Sequence, residues 1–218
     1  MIRAKRVRIP FFIIHCSFFI LFACSTPDPI LEGTRTPVFK SDQLKISGRV
    51  LGADLGAELE PKKCGDIRID SENRIWKGGV KIFSGLPTES KFNIEKQAAC
   101  NGMSVYAGLS TGELIKVNHS ARNLEWTADI FDERTPTKNG IFLDIIAPPV
   151  YDAGFIYAGG LGGLFCKVRD ADGAKVWCLP IAVESLKKST AKYIVVRSAD
   201  GKAYAVAKNG KIFEVDEP

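Results

Sequence analysis

The feature that most constrains this chain is that part of it occurs twice. Displaced by 51 positions without a gap, residues 105–126 fall on residues 156–177, and seven of the 22 columns are identical. The identities are Tyr106/Tyr157, Ala107/Ala158, Gly108/Gly159, Gly112/Gly163, Lys116/Lys167, Val117/Val168 and Trp126/Trp177. A fainter third copy spans 194–215, with Asp200-Gly201 in the Gly112/Gly163 column. A fourth is half present before Trp76, which lies 50 positions upstream of Trp126. A repeat of this length, made of short apolar runs, belongs to propellers and solenoids, where one unit cannot bury its apolar face without the next.

Each copy has the same layout. A short apolar strand (104–107, 155–158, 193–196) meets a glycine-containing turn; a second strand (113–117, 164–168, 202–206) leads through a polar turn to a third (123–127, 174–179, 211–215). Ser110-Thr111-Gly112, Asp172-Gly173, Asp200-Gly201 and Asn209-Gly210 are hairpin chemistry, because Gly and Asn tolerate positive φ. The repeated Trp supplies a large flat ring at a fixed place, suited to packing one sheet on the next. No stretch beyond the N-terminus has a helical period, so the body reads as all-β: a partial or small β-propeller of about four four-stranded antiparallel blades over 44–218.

The N-terminus is a different kind of segment. Arg3, Lys5, Arg6 and Arg8 precede an apolar run at 11–22 that is too short to span a bilayer comfortably and has the layout of a secretory signal. It ends in Leu21-Phe22-Ala23-Cys24, which resembles the lipobox of bacterial lipoproteins. Residues 1–23 are thus read as a lipoprotein signal peptide, Cys24 as the lipidated residue, and 24–43, with Pro27, Pro29, Gly33 and Pro37, as an extended tether. Removing the signal takes four of the 30 basic residues and none of the 25 acidic ones, leaving 26 against 25. A chain so nearly neutral carries no nucleic-acid signature.

Chemistry is sparse. Beside Cys24 the mature chain holds Cys64, Cys100, Cys166 and Cys178, with no CxxC and only His119, which argues against zinc, haem or a thioredoxin-like site. Cys166 and Cys178 flank the turn at 170–173 on paired strands; a cross-strand bridge and two separately buried thiols are both compatible with that spacing. His119 reads as a solvated turn side chain. Gly159-Gly160-Leu161-Gly162-Gly163 looks like a phosphate loop but opens no helix, and reads as a turn where backbones approach closely. No nucleophile motif or carboxylate pair is present. The expectation is a non-enzymatic chain without metal or cofactor.

The turn at 167–177 is similar to the quinoprotein-type propeller motif A-x-D-x-x-T-G-x-x-x-W: Gly173 and Trp177 match, while Lys167 and Arg169 replace the Ala and Asp. At 116–126 the Trp is kept as Trp126, Asn118 stands for the Asp, and Arg122 occupies the usual Gly. Within that superfamily the chain resembles the BamB family, lipoproteins of the outer-membrane β-barrel assembly machinery. The lipobox, the two clear blades and the insert at 128–147 between them carry the resemblance, and 31–39 is similar to the post-tether segment of some members. In that family a loop reading like R-L-x-D-V-D-x-x-P contacts BamA. Here Phe142, Asp144, Ile145 and Pro149 match in kind, and Ile141 and Ile146 replace an Arg and an Asp.

The resemblance implies an outer-membrane lipoprotein facing the periplasm, a scaffold for barrel assembly with a BamA-like partner, and contact residues Phe142, Leu143, Asp144 and Ile145. The apolar run at 141–146 is expected to be exposed for that purpose; its bland alternative is a blade strand. The family's propeller has eight blades, whereas this chain has residues for about four, so self-association to close a ring is one expectation. A quinoprotein-type enzyme or sensor, and an envelope lipoprotein with no barrel-assembly role, are the competing functions.

Overall fold

The computed structural model describes residues 44–59, 64–87, 96–131 and 143–216. Residues 1–43, where a signal peptide, a lipidated Cys24 and a tether are expected, and Phe142 lie outside the described residues. The described chain opens with strand β1 (Ile46–Leu51) and a single 3-10 turn (Gly52–Leu55); all its other regular elements are strands. They form four antiparallel sheets in chain order, as the repeat requires. The first has β2 (Ile67–Ile69), β3 (Arg74–Lys77) and β4 (Val80–Ser84). The second has β5 (Ala99–Asn101), β6 (Ser104–Gly108), β7 (Glu113–Asn118) and β8 (Asn123–Asp129). The third has β9 (Val150–Asp152), β10 (Phe155–Gly159), β11 (Phe165–Arg169) and β12 (Lys175–Leu179). The fourth has β13 (Val183–Ser189), β14 (Tyr193–Ser198), β15 (Ala203–Ala207) and β16 (Ile212–Asp216), and β1 joins it by pairing parallel with β16.

Alternation along each strand sends side chains to two faces, and both faces of the middle sheets are apolar because each is sandwiched. Val105, Ala107, Ile115 and Val117 of the second blade pack on Ile69, Ile75 and Ile82 of the first. Tyr106, Leu114 and Trp126, on its other face, meet Ile156, Ala158, Cys166 and Val168 of the third. Tyr157 and Phe165 of the third meet Ile194, Val196, Tyr204 and Ile212 of the fourth. The outer face of the fourth blade (Val195, Ala203, Ala205, Val215) is extended by Val50, beside Val215 in the same sheet, and packs against Leu55 of the N-terminal segment.

The turn columns hold. Gly112, Gly163 and Gly201 all take positive φ (83°, 91° and 86°), and Asn73 takes 59° in the corresponding turn of the first blade. The N–H of Asn73, Gly112 and Gly201 donates to Asp70, Leu109 and Ser198 respectively, one repeated turn bond. This alignment corrects the fourth-copy reading. A first blade exists, but Trp76 is on its central strand, opposite Arg68 and Lys81, whereas Trp126 and Trp177 are on the last strands of theirs. The 50-residue spacing of Trp76 from Trp126 is therefore coincidental. Arg122, where the motif has Gly, is forced to a φ of 56°.

Two disulfides form among the described residues. Cys166 and Cys178 are directly opposite in the β11–β12 ladder and are bonded. Cys64 is bonded to Cys100 on β5, tying the entry to the first blade to the second.

Candidate functional site

Two polar clusters stand out, one at the blade seams and one under the insert. The seams use the identical columns of the repeat. Tyr106, Lys116 and Trp126 are cross-strand neighbours on β6, β7 and β8, and Tyr157, Lys167 and Trp177 are the same trio on β10, β11 and β12. Each trio receives the last turn of the following blade. Asp170 takes the Tyr106 hydroxyl at 2.7 Å and the Lys116 ammonium at 2.8 Å, and its backbone carbonyl accepts the Trp126 indole N–H at 2.8 Å. Glu125 gives Lys116 a second carboxylate at 3.1 Å. Burial disfavours the Lys116 charge, but the Asp170 and Glu125 bonds outweigh it, so its pKa is raised. Burial and then the Asp170 bond push the Tyr106 hydroxyl up as well.

At the next seam the turn residue is Lys208. Its ammonium pairs with Asp152 at 2.9 Å and lies 4.9 Å from the Tyr157 ring centre, and Lys167 donates to its carbonyl at 3.1 Å. Burial, then the Asp152 charge, pushes Tyr157 up to about 12. The buried Trp177 indole N–H has no acceptor among the described residues. In the first blade Lys77 fills the same column and reaches the second blade's turn at His119, with Nζ 2.8 Å from Nδ1. His119, expected to be solvated, is thus half-buried at a seam. Nothing in the sequence names Asp170 as a keystone, although a Lys recurring in a strand column of a sandwiched blade demands an acceptor.

The insert is anchored at both ends. Phe131 bridges Gly163, and Phe131 and Leu143 both lie against Gly112 and Gly162, where an added Cβ would come within 2.8–3.5 Å of them. Beyond Leu143 the chain runs inward without joining a ladder. Asp144 is 2 % exposed and Ile145 1 %. The Ile145 side chain fills the space left by the missing Cβ of Gly108, and the Asp144 carbonyl presses on Gly160 and accepts the Leu161 N–H at 2.9 Å. The Asp144 carboxylate accepts from Lys96 at 2.8 Å, and Lys96 also donates to Ser110 Oγ at 2.5 Å. Asn73 completes the cluster by accepting the Ser110 N–H at 2.9 Å.

This corrects the expectation of exposure at two residues of the run, Asp144 and Ile145. Asp144 and Ile145 are interior because the turns of the first three blades meet there around one cation, and these two side chains pack among them. They are not blade-strand residues either. Leu143 is half-buried and Phe142 lies outside the described residues. The Gly-rich loop behaves as expected: Gly159 and Gly160 are crowded by Val183, Phe165 and the Asp144 backbone.

Lys96 beside Ser110 has the composition of a serine–lysine catalytic pair. Burial lowers the Lys96 pKa, and the Asp144 hydrogen bond opposes that shift. The Lys96 amine, 2.8 Å from the buried Asp144 carboxylate, ties the Ser110 turn to the insert. No group of metal-ligating side chains occurs among the described residues.

No family model matches the sequence, and no curated protein matches it. Solved structures do match by shape. BamB from Moraxella catarrhalis superposes with a TM-score of 0.58 at 16% identity, over 70% of this chain and 50% of that one. Sqt1 from Saccharomyces cerevisiae superposes with a TM-score of 0.52 at 14% identity, over 69% and 45%. The chain spans about half the length of these structures. At such identities the likeness is one of fold, and it places the four sheets among β-propeller blades.

Proposed function

We propose that the chain is a lipid-anchored, non-enzymatic propeller scaffold of the outer membrane that assists barrel-protein assembly through a BamA-like partner. The observation that carries this reading is the seating of the insert. Phe131 and Leu143 rest on the same two glycine turns, so both described ends of the insert are fixed side by side. A binding loop on rigid roots is how scaffolds present contacts. The contact residues are then sought in 132–142, with Phe142, while Asp144 and Ile145 form the foundation. The lipobox at Cys24 and the likeness in fold to BamB support the envelope location.

Replacing 132–142 by a Gly/Ser linker of equal length tests it. The melting temperature should stay within a few degrees of the parent, and co-purification with BamA should fall away. Deleting the gene should lower the level of outer-membrane barrel proteins. Normal barrel levels together with unchanged BamA capture by the linker variant would leave an envelope lipoprotein with some other role.

A further inference from the structure

The first blade ends the stack with a face unlike any other. Arg68 and Trp76 are cross-strand partners on β2 and β3. The same two columns hold Ala107 and Ile115 in the second blade, Ala158 and Cys166 in the third, and Val196 and Tyr204 in the fourth. Those six are buried against the preceding blade. Arg68 is exposed and Trp76 half-exposed, with Lys81 opposite Trp76 on β4 and also exposed.

We propose that this face docks an acidic segment of a partner protein, laid across Trp76 between Arg68 and Lys81. The indole is held ready for it. Its N–H donates to Asp70 at 2.8 Å, and Asp70 also takes the Arg74 guanidinium at 2.8 Å. Arg68 and Arg74 both lie 5.7 Å from the ring centre. Asp70 and Glu72 neutralise Arg74, but Arg68 and Lys81 have no ion pair among the described residues. A solvated end face has no need of a tryptophan; a fixed tryptophan between unpaired cations has the composition of an interface hot spot for carboxylates.

A second copy of this chain is the wrong occupant. Its complementary surface would be the outer face of the fourth blade, where Leu55 already packs. Two unpaired cations are also too few to track a nucleic-acid backbone, where affinity comes from many phosphate contacts.

The test uses the full chain and a fluorescein-labelled decapeptide of glutamate and phenylalanine, read by fluorescence anisotropy. Wild type should bind, more weakly as salt is raised, with quenching of tryptophan emission. Arg68→Glu/Lys81→Glu should lose about tenfold in affinity or more while melting as wild type does. Lys187→Glu/Lys192→Glu, on the fourth blade, should bind like wild type. No binding by wild type, or equal binding by the Arg68/Lys81 variant, would overturn the proposal. So would tighter capture of a DNA duplex or of phosphatidylglycerol vesicles that is lost in the same variant.

Discussion

At the scale of the residue, equivalence by column is not equivalence by energy. Trp126 is 8 % exposed and satisfied by the Asp170 carbonyl, while Trp177 is half-buried and its N–H has no acceptor among the described residues. Trp126→Phe should therefore cost about 1–2 kcal/mol from its lost hydrogen bond and poorer fit, and Trp177→Phe should be close to neutral. Equal losses for both in denaturant melts would show that the indole bond from Trp126 to Asp170 is immaterial. Asp70 gives a pH test. Burial opposes its charge, but bonds from Trp76 and Arg74 win and bring its pKa from 3.8 down to about 2. A folded value below the unfolded one means stability that is present above pH 4 and lost as the pH falls toward 2. Asp70→Asn should remove up to about 2 kcal/mol at neutral pH and flatten the stability profile between those limits. The identical Tyr, Lys and Trp columns were legible in the sequence. Their partners were not, because Asp170, Lys208 and His119 share one turn position and no chemistry.

At the scale of the element, the short N-terminal segment has an outsized part. Leu55, on a single 3-10 turn, plugs the outer face of the fourth blade beside Val195, Ala205 and Val215. Leu55→Ala should cost about 2–4 kcal/mol, as buried leucines do, and should make the tryptic cleavage of 44–59 much faster. Resistance equal to wild type would mean that β1 pairing alone holds the segment. Turn chemistry made the later blades readable: Gly112, Gly163 and Gly201 announced their hairpins. The first blade is harder to align from sequence, because Asn73 replaces that glycine and Trp76 stands on a central strand at nearly the repeat spacing. The insert was misread for a different reason. Ile145 and Asp144 look like an exposed contact in one dimension; only the folded chain shows Lys96, 48 positions earlier, waiting for the acid.

At the scale of the whole molecule, the all-β architecture and the count of four blades followed from the repeat and its length. How the stack ends did not, since nothing in a strand pattern says whether its next neighbour is a blade, a loop or water. One end carries Arg68 and Trp76 in columns that are apolar elsewhere, and the other is sealed by Leu55. A proposed lipid anchor at Cys24 is checked by Cys24→Ala, which should move the protein from the membrane fraction to the soluble one and abolish palmitate labelling. Wild type that is already soluble and unlabelled would remove the anchor from the reading. The pairing of β1 with β16 carries its own consequence in time. Ile46 meets Ile212, so among the described residues the first strand is paired only when the last one exists. The blades between can zip up locally, one hairpin after another, but the last seal must wait for the far end of the chain. Folding should thus show a fast phase from the hairpins and a slow concluding one, and a ribosome stalled before β16 would hold a protein with three well-formed blades and an unguarded face.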